Sequence, residues 1–344
     1  MTGDDMQVGF IGVGSVIETA YLPAIQRLAR RDVVCYGFDP APRYRSDTIT
    51  LLPSLTQLLA LPLDLVFITT SSLQHWPILK LVLQQSSLPV VVEKPVAATL
   101  QQLDELTSFL SDPAIAARVL ALDHWMVRTD AARFIDRLED IDRIEGFLLE
   151  PSGFNAAGEP IALNFATGEP DTRALHHPDG VIVDIGTHVL AMMRETLMQA
   201  GADEALELEL LLAKDRLGNG IVPGDVTTAE GQALLRGEMG GIPCVLQLNK
   251  YAGPAGGQKG INIVLKDGRV IAVDRRGVNE TLSVDDEVKL DISGPLYDRC
   301  LGEVIFAGKT LFEQAPETIP ALTRRRIQEV RVLLTLQQTL RGEH

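Results

Sequence analysis

Cysteine is scarce: Cys35, Cys244 and Cys300 are the only three in 344 residues, with no CxxC pair and no metal-type spacing. That excludes a disulfide framework and a structural zinc, and no metal site is expected. Basic residues are also short, 31 against 46 acidic, for a formal charge of −15. Such a chain cannot neutralise a run of phosphates, which argues against general nucleic-acid binding and against anionic membrane surfaces. No apolar run reaches the ~18 residues that would suggest a membrane span. The first residues are acidic, and the apolar stretch after them is broken by Gly9, Gly12 and Gly14. No signal peptide is read there, and a reduced, cytoplasmic home is expected.

What remains is ordinary globular composition, 46% hydrophobic and 22% charged, in a chain long enough for two domains. The first third alternates short apolar runs with helical stretches. Strands are expected at 6–11, 33–38, 63–69, 89–93 and 118–122, with helices to about 30 and over 74–86 and 99–111. Continuous apolar strands separated by helices imply a parallel sheet covered on both faces. Beyond about residue 125 strand-like runs dominate, at 143–149, 205–214, 227–235, 244–249, 262–265 and 270–273. Gly240-Gly241 and Asp267-Gly268 suggest hairpins. One helix over 184–200 and an amphipathic tail over 321–340 complete the pattern. The reading is an α/β N-terminal domain with a parallel sheet, 1–124. An α+β C-terminal domain with a large open, mainly antiparallel sheet follows, 125–344, and its last helix is free to pack back on the first domain.

Gly12-Val13-Gly14-Ser15-Val16-Ile17 follows a predicted strand and opens a helix. Glycines there let the backbone approach a pyrophosphate at a helix N-terminus, although Ile17 replaces the third glycine of the usual fingerprint. Asp39, directly after the second strand, would accept hydrogen bonds from ribose hydroxyls and repel a 2′-phosphate. The alternative is a plain strand-to-helix turn, with Asp39-Pro40 as a turn opener. NAD is preferred over NADP, with Arg43 and Arg45 near enough to tolerate a phosphate. Lys94 sits where a parallel strand ends, and Asp184 and His188 are four residues apart, on one face if that segment is helical. A lysine, a carboxylate and an imidazole suit proton exchange with an alcohol that gives up hydride. Their bland alternatives are a surface charge and a helical packing pair.

In this order the motifs resemble the Gfo/Idh/MocA oxidoreductase family. Gly12 through Pro23 is similar to its glycine turn, Thr69-Thr70 through His75 to its next cofactor loop, Glu93-Lys94-Pro95 to its Glu-Lys-Pro signature, and Arg173 through His188 to its stretch ending Asp-x-Gly-x-His. The resemblance implies a Rossmann domain that holds the dinucleotide through Gly12, Gly14, Ser15, Val16, Asp39, Arg43, Thr69, Thr70, His75, Glu93 and Lys94. Lys94 would bind the substrate hydroxyl, His188 would act as general acid/base, and Asp184 would orient the substrate. The bond before Pro95 is often cis in the family, and the second domain's sheet carries the substrate pocket and commonly the interface of a homodimer or homotetramer. His124, Trp125, Arg128, Asn155, Arg173 and His177 are further candidates for touching a polyhydroxylated substrate: a sugar, sugar phosphate or cyclitol. Three features depart from the pattern: a thinned glycine approach at Asp179-Gly180-Val181, Thr69-Thr70 in place of Thr-Pro, and no acid shortly after His188. Against the NAD(P)-dependent dehydrogenase stand a nucleotide- or sugar-sensing regulator of the same fold and an NAD-dependent glycosidase or imine reductase.

Overall fold

The computed structural model describes residues 5–28, 32–42, 46–163, 168–171, 175–305 and 310–342. The chain divides into two compact units, Met1–His124 with Pro295–Val330, and Trp125–Gly294 with Arg331–His344. Pro295–Val330 therefore clusters with the first unit, so the second does not run unbroken to the C-terminus. The boundary falls inside the tail helix Ile319–Arg341.

In the first unit the apolar runs form β1 (Met6–Ile11), β2 (Val33–Phe38), β3 (Thr50–Leu51), β4 (Leu65–Ile68), β5 (Val90–Val92) and β6 (Val119–Ala121). They lie in the order β3-β2-β1-β4-β5-β6, all parallel. Every residue of β4, β5 and β6 is buried, because helices cover both faces and leave no polar side to alternate with. Strand order reverses between β1 and β4, the place where such sheets bind ligands beyond their carboxyl ends. The edge at β6 is closed by Thr323, whose hydroxyl donates to the Val119 carbonyl at 2.7 Å and accepts from Ala121 N at 3.0 Å. Helix starts follow local signals: Thr99 caps Leu100–Phe109 by accepting from Gln102 N at 3.1 Å. The first helix is not regular. A five-residue π segment, Ile17–Tyr21, precedes Leu22–Leu28, next to Pro23, which has no N–H to donate to the preceding turn.

The second unit is built on β7 (Ile141–Phe154), β8 (Pro160–Ala162), β9 (Leu206–Lys214), β10 (Gln232–Met239), β11 (Ile242–Gly253), β12 (Gln258–Leu265), β13 (Val270–Arg276), β14 (Asn279–Val284) and β15 (Glu287–Ser293). Their order is β15-β14-β13-β12-β7-β11-β10-β9, with β8 paired to β7 off this path. All neighbours are antiparallel except β7 and β11, which run parallel in the middle. Both expected hairpins form: Gly240 and Gly241 have φ of 54° and 75°, and Gly268 has 94°.

Two expected elements differ. Residues 227–231 are not strand, because Asp225 Oδ1 accepts from Thr227 N at 3.0 Å and Thr228 N at 2.9 Å and folds that segment into a turn. The helix expected over 184–200 is broken: Val181–Asp184 ends at Ile185 and Gly186–Gln199 begins anew. Asp184 and His188 therefore do not share one helical face. Gly186 is where the second helix meets its neighbours; a Cβ there would lie 3.2 Å from Leu248 and 3.3 Å from Leu333.

The helix Gly186–Gln199 lies directly on the sheet at Gly146 of β7, where an added Cβ would sit 2.3 Å from Met193 Sδ and 2.4 Å from Val189 Cγ1. Methionine can swing away, but valine is stiff at χ1. Gly146→Ala is therefore expected to lower stability by about 1–3 kcal/mol, the usual cost of overpacking. Urea unfolding monitored by circular dichroism checks this; an unchanged midpoint would mean the helix shifts freely over the sheet.

Candidate functional site

At the carboxyl end of the first sheet, Gly12 adopts φ 93° and a Cβ on it would lie 2.7 Å from Thr70 N. Only glycine allows the loops after β1 and β4 to meet there. The Thr69 hydroxyl locks the contact by donating to the Gly12 carbonyl at 2.6 Å. Gly14 is the opposite case: nothing lies within 4 Å of where its Cβ would be, so this backbone faces open room. Ser15 is exposed and Val16 half-buried at the start of the helical segment. Asp39 Oδ2 accepts from Val13 N at 2.9 Å and Oδ1 from Ala41 N at 2.8 Å, so the carboxylate shapes both the glycine turn and its own loop. Two carboxylate oxygens accept about four hydrogen bonds, which leaves capacity for a ligand's hydroxyls. Arg43 lies outside the described residues.

Beside this turn, His75 joins two loops. Its Nδ1 is 2.6 Å from the Pro95 carbonyl and its Nε2 is 2.9 Å from the Thr70 carbonyl. Burial pushes the imidazole pKa down, while both carbonyls and Glu93 oppose it. The ring acts as a clamp between the Thr70 loop and the Lys94-Pro95 turn. The Lys94-Pro95 bond is cis. Lys94 is half-buried, and its backbone N–H donates to Glu93 Oε2 at 3.1 Å.

Glu93 is the buried carboxylate that organises this corner. Tyr21 donates to its Oε1 at 2.6 Å, and Tyr297, from the returning C-terminal segment, donates to the same atom at 3.4 Å. Burial and the nearby Glu93 raise both phenols well above their ordinary pKa, so both remain donors. Tyr21 also packs against Phe10, Phe67 and Tyr297, and His124 stacks on Tyr297 at 4.3 Å. His124 is thus a buried packing partner in this unit.

In the second unit, Asp184 is partly exposed, and its Oδ2 is 3.9 Å from Lys250 Nζ. Lys250 is buried and donates to Glu150 Oε2 at 2.6 Å. His188 is 8% exposed, with its ring 6.5 Å from that of Trp125. Trp125 is buried and flanked by two cations, Arg128 at 5.5 Å and Lys259 at 5.4 Å from the ring centroid. Arg128 is buried in an ion pair with Glu280, and Arg275 Nη1 lies 3.9 Å from the same carboxylate.

Asn155, in contrast, is committed to its own turn: Oδ1 accepts from Ala157 N and Glu159 N, and Nδ2 donates to Glu159. His177 is half-buried, its backbone bonded to the Thr227 carbonyl at 2.9 Å. Arg173 lies outside the described residues.

Several of these residues went unnoticed in the motif reading. Lys259, Arg275 and Glu280 stand directly opposite one another on β12, β13 and β14. A signal was there: Lys259 alternates in phase with Ile261 and Ile263, Arg275 with Ile271 and Val273, and Lys250 with Leu246 and Leu248. A charge in the buried phase of a strand marks either a pair or a site. Tyr21 and Tyr297 carried no local signal, being 276 positions apart in chain numbering.

The family model GFO_IDH_MocA, described as an oxidoreductase family with an NAD-binding Rossmann fold, matches residues 6–112. Residues 6–112 belong to the Gfo/Idh/MocA oxidoreductase family. No curated protein matches the chain in sequence. Solved structures share the fold of the whole. A UDP-N-acetylglucosamine 3-dehydrogenase, GnnA, from Acidithiobacillus ferrooxidans superposes with TM-score 0.65 at 17% identity, covering 98% of each chain. A D-galactose-1-dehydrogenase from Rhizobium etli gives 0.65 at 16%, covering 98% of this chain and 96% of that one. An oxidoreductase from Desulfitobacterium hafniense described in terms of NADPH gives 0.66 at 13%, covering 98% and 96%. Among the described residues, no helix is long and apolar enough to cross a membrane.

Lys259 offers a direct test of the buried row. Burial, together with Arg275 and Arg128, pushes its ammonium down to about 7, with Glu150 and Glu280 opposing. Between that value and the ordinary 10.5, the unfolded chain holds a proton that the folded one does not, so folding gains stability as pH rises. Lys259→Met should therefore stabilise most below pH 7, with the advantage shrinking by up to ~1.4 kcal/mol per pH unit above it. Chemical unfolding of both proteins from pH 6 to 10 reads this; a pH-independent difference would mean the amine is not desolvated.

Proposed function

We propose that the protein is an NAD-dependent dehydrogenase, or a ketoreductase in reverse, acting on a secondary hydroxyl of a sugar, sugar phosphate or cyclitol. The observation that carries this reading is the corner around Gly12, where the open backbone at Gly14, the carboxylate of Asp39 and the Glu93-Lys94-Pro95 turn follow the carboxyl ends of β1, β2 and β5 in one parallel sheet. The residues fit a dinucleotide: Gly14 leaves room for a pyrophosphate, and Asp39 retains acceptors for ribose hydroxyls. Its negative charge disfavours a 2′-phosphate, which supports NAD over NADP. When bound, the nicotinamide supplies the hydride acceptor or donor.

The chain's own groups do the rest. Lys94 binds the substrate hydroxyl as a cation and stabilises the oxygen as it loses its proton. His188 takes that proton in oxidation and returns it in reduction, and Asp184 orients the substrate. Glu93, held by Tyr21 and by the Lys94 N–H, fixes the turn that presents the lysine. The names of GnnA and the D-galactose-1-dehydrogenase support a sugar-like substrate. Exposed Leu211 and Ile292 on the edge strands β9 and β15 support a homodimer or homotetramer through this sheet.

The first test is NADH formation from NAD across a panel of sugars, sugar phosphates and cyclitols. Lys94→Ala should cut turnover by roughly 10²–10⁴-fold while the NADH dissociation constant, read by fluorescence, stays within about threefold. Lost cofactor binding with turnover intact at saturation would assign the lysine to the cofactor instead. For Asp39→Ala, the preference for NAD over NADP in kcat/KM should fall by about tenfold or more, as the repulsion of the 2′-phosphate disappears. An unchanged ratio would give ribose recognition to another residue.

A further inference from the structure

From Arg331 onward, the last helix, Ile319–Arg341, belongs to the second unit. Leu333, Gln337 and Arg341 follow one another at intervals of four, so they share one face of it. All three are buried, while Thr335 and Thr339 between them are exposed. Two of the three are polar, and a polar side chain out of water is explained by what it holds.

What this face holds is the broken helix pair that carries Asp184 and His188. Leu333 meets it at the break, where a Cβ on Gly186 would lie 3.3 Å from Leu333 Cδ1. Gln337 meets it just ahead of the first turn: its Nε2 donates to the Pro178 carbonyl at 3.2 Å and to Glu230 Oε2 at 3.1 Å. Arg341 completes the row. Its Nη2 donates to Glu230 Oε1 and to the Thr228 carbonyl at 2.8 Å, and its Nη1 to the Asp225 carbonyl. The Arg341 carbonyl in turn accepts from Gly224 N at 2.8 Å.

Glu230 is where these bonds converge. The helix holds both of its carboxylate oxygens, and its backbone carbonyl accepts at 3.0 Å from Val181 N, which opens the short helix Val181–Asp184. A first-turn N–H has no partner within its own helix, so this bond fixes where the helix starts. Gly180 lies so close that a Cβ on it would overlap Glu230 Oε2. The same turn reaches the approach segment, His177 N donating to the Thr227 carbonyl at 2.9 Å. It also reaches β11, where Lys250 N donates to the Gly231 carbonyl at 2.9 Å.

A plain anchor for the end of the chain would need none of this. Apolar side chains pin a helix at least as well as a buried ion pair, which gives little net stability over them. Hydrogen bonds add direction: they set Glu230, and through it the start of Val181–Asp184, to within a fraction of an ångström. Groups that act on a substrate need that accuracy, about 0.5 Å.

We propose that Leu333, Gln337 and Arg341 are positioning residues for Asp184 and His188, acting through Glu230 at the start of the short helix and through Gly186 at its break. That this placement serves hydride transfer rests on the dehydrogenase reading. The placement itself does not.

Gln337→Met removes both donors and keeps an unbranched side chain in the same place. Hydrogen exchange read by mass spectrometry should show the amides of 181–188 exchanging at least about tenfold faster, with β1 and β4 unchanged. Arg341→Lys, which keeps a cation but loses the fork, should raise exchange in the same segment. Thr339→Ala, on the exposed face, should change nothing. With the substrate panel, kcat of Gln337→Met should fall about tenfold or more while KM for NAD stays within about twofold, because misplacing a reacting group by about 1 Å is costly. Unchanged exchange over 181–188, faster exchange with kcat intact, or faster exchange spread evenly over both sheets would each overturn the positioning role. If the wild-type protein forms NADH from no panel member, the dehydrogenase reading falls, and the exchange pattern alone decides the placement.

Discussion

A charge removed from water has to meet an opposite charge or a hydrogen-bond partner, and both units are organised by that requirement. In the first, Glu93 is 7% exposed and is held by two tyrosines and a backbone N–H. The aromatic cluster beneath it is the means by which those donors are delivered. In the second, Arg128 and Arg275 converge on Glu280, Lys250 on Glu150, and Arg341 on Glu230. These groups lie among apolar neighbours where any one alone would be strongly destabilising. Removing one partner would leave the other stranded, so the clusters behave as units.

Such clusters give little net stability over well-packed apolar residues. One of the buried cations, Lys250, comes within 3.9 Å of Asp184, and two others, Arg128 and Lys259, flank the buried Trp125 ring. Burial also moves proton affinities, as with Lys259. A protein with a net charge of −15 thus concentrates part of its small supply of cations on the buried phase of one sheet.

The glycine turn shows a different economy. Gly12 is required by contact, since its missing Cβ lets two loops touch, whereas no protein atom lies within 4 Å of where a Cβ on Gly14 would be. Asp39 ties the turn together, accepting from Val13 N with one carboxylate oxygen and from Ala41 N with the other. This is why a fingerprint lacking its third glycine still builds the corner.

The sequence by itself determined the parallel sheet, the strand-rich second half, the two hairpin turns and the places of Gly12, Lys94 and His188. Those features are written in local patterns: continuous apolar runs, alternation, paired glycines and short motifs. Patterns of period two or 3.6 read a few neighbours at a time. Tertiary structure alone decided the rest. The pairing of Tyr297 with Glu93 joins distant parts of the chain, and no local spacing announces it. The break at Ile185, which separates Asp184 from the helix of His188, accompanies the packing of Gly186 against Leu248 and Leu333. The row Lys259–Arg275–Glu280 exists only because three strands fall into register. Which charges meet is a property of that register, and register is set by packing across the whole sheet.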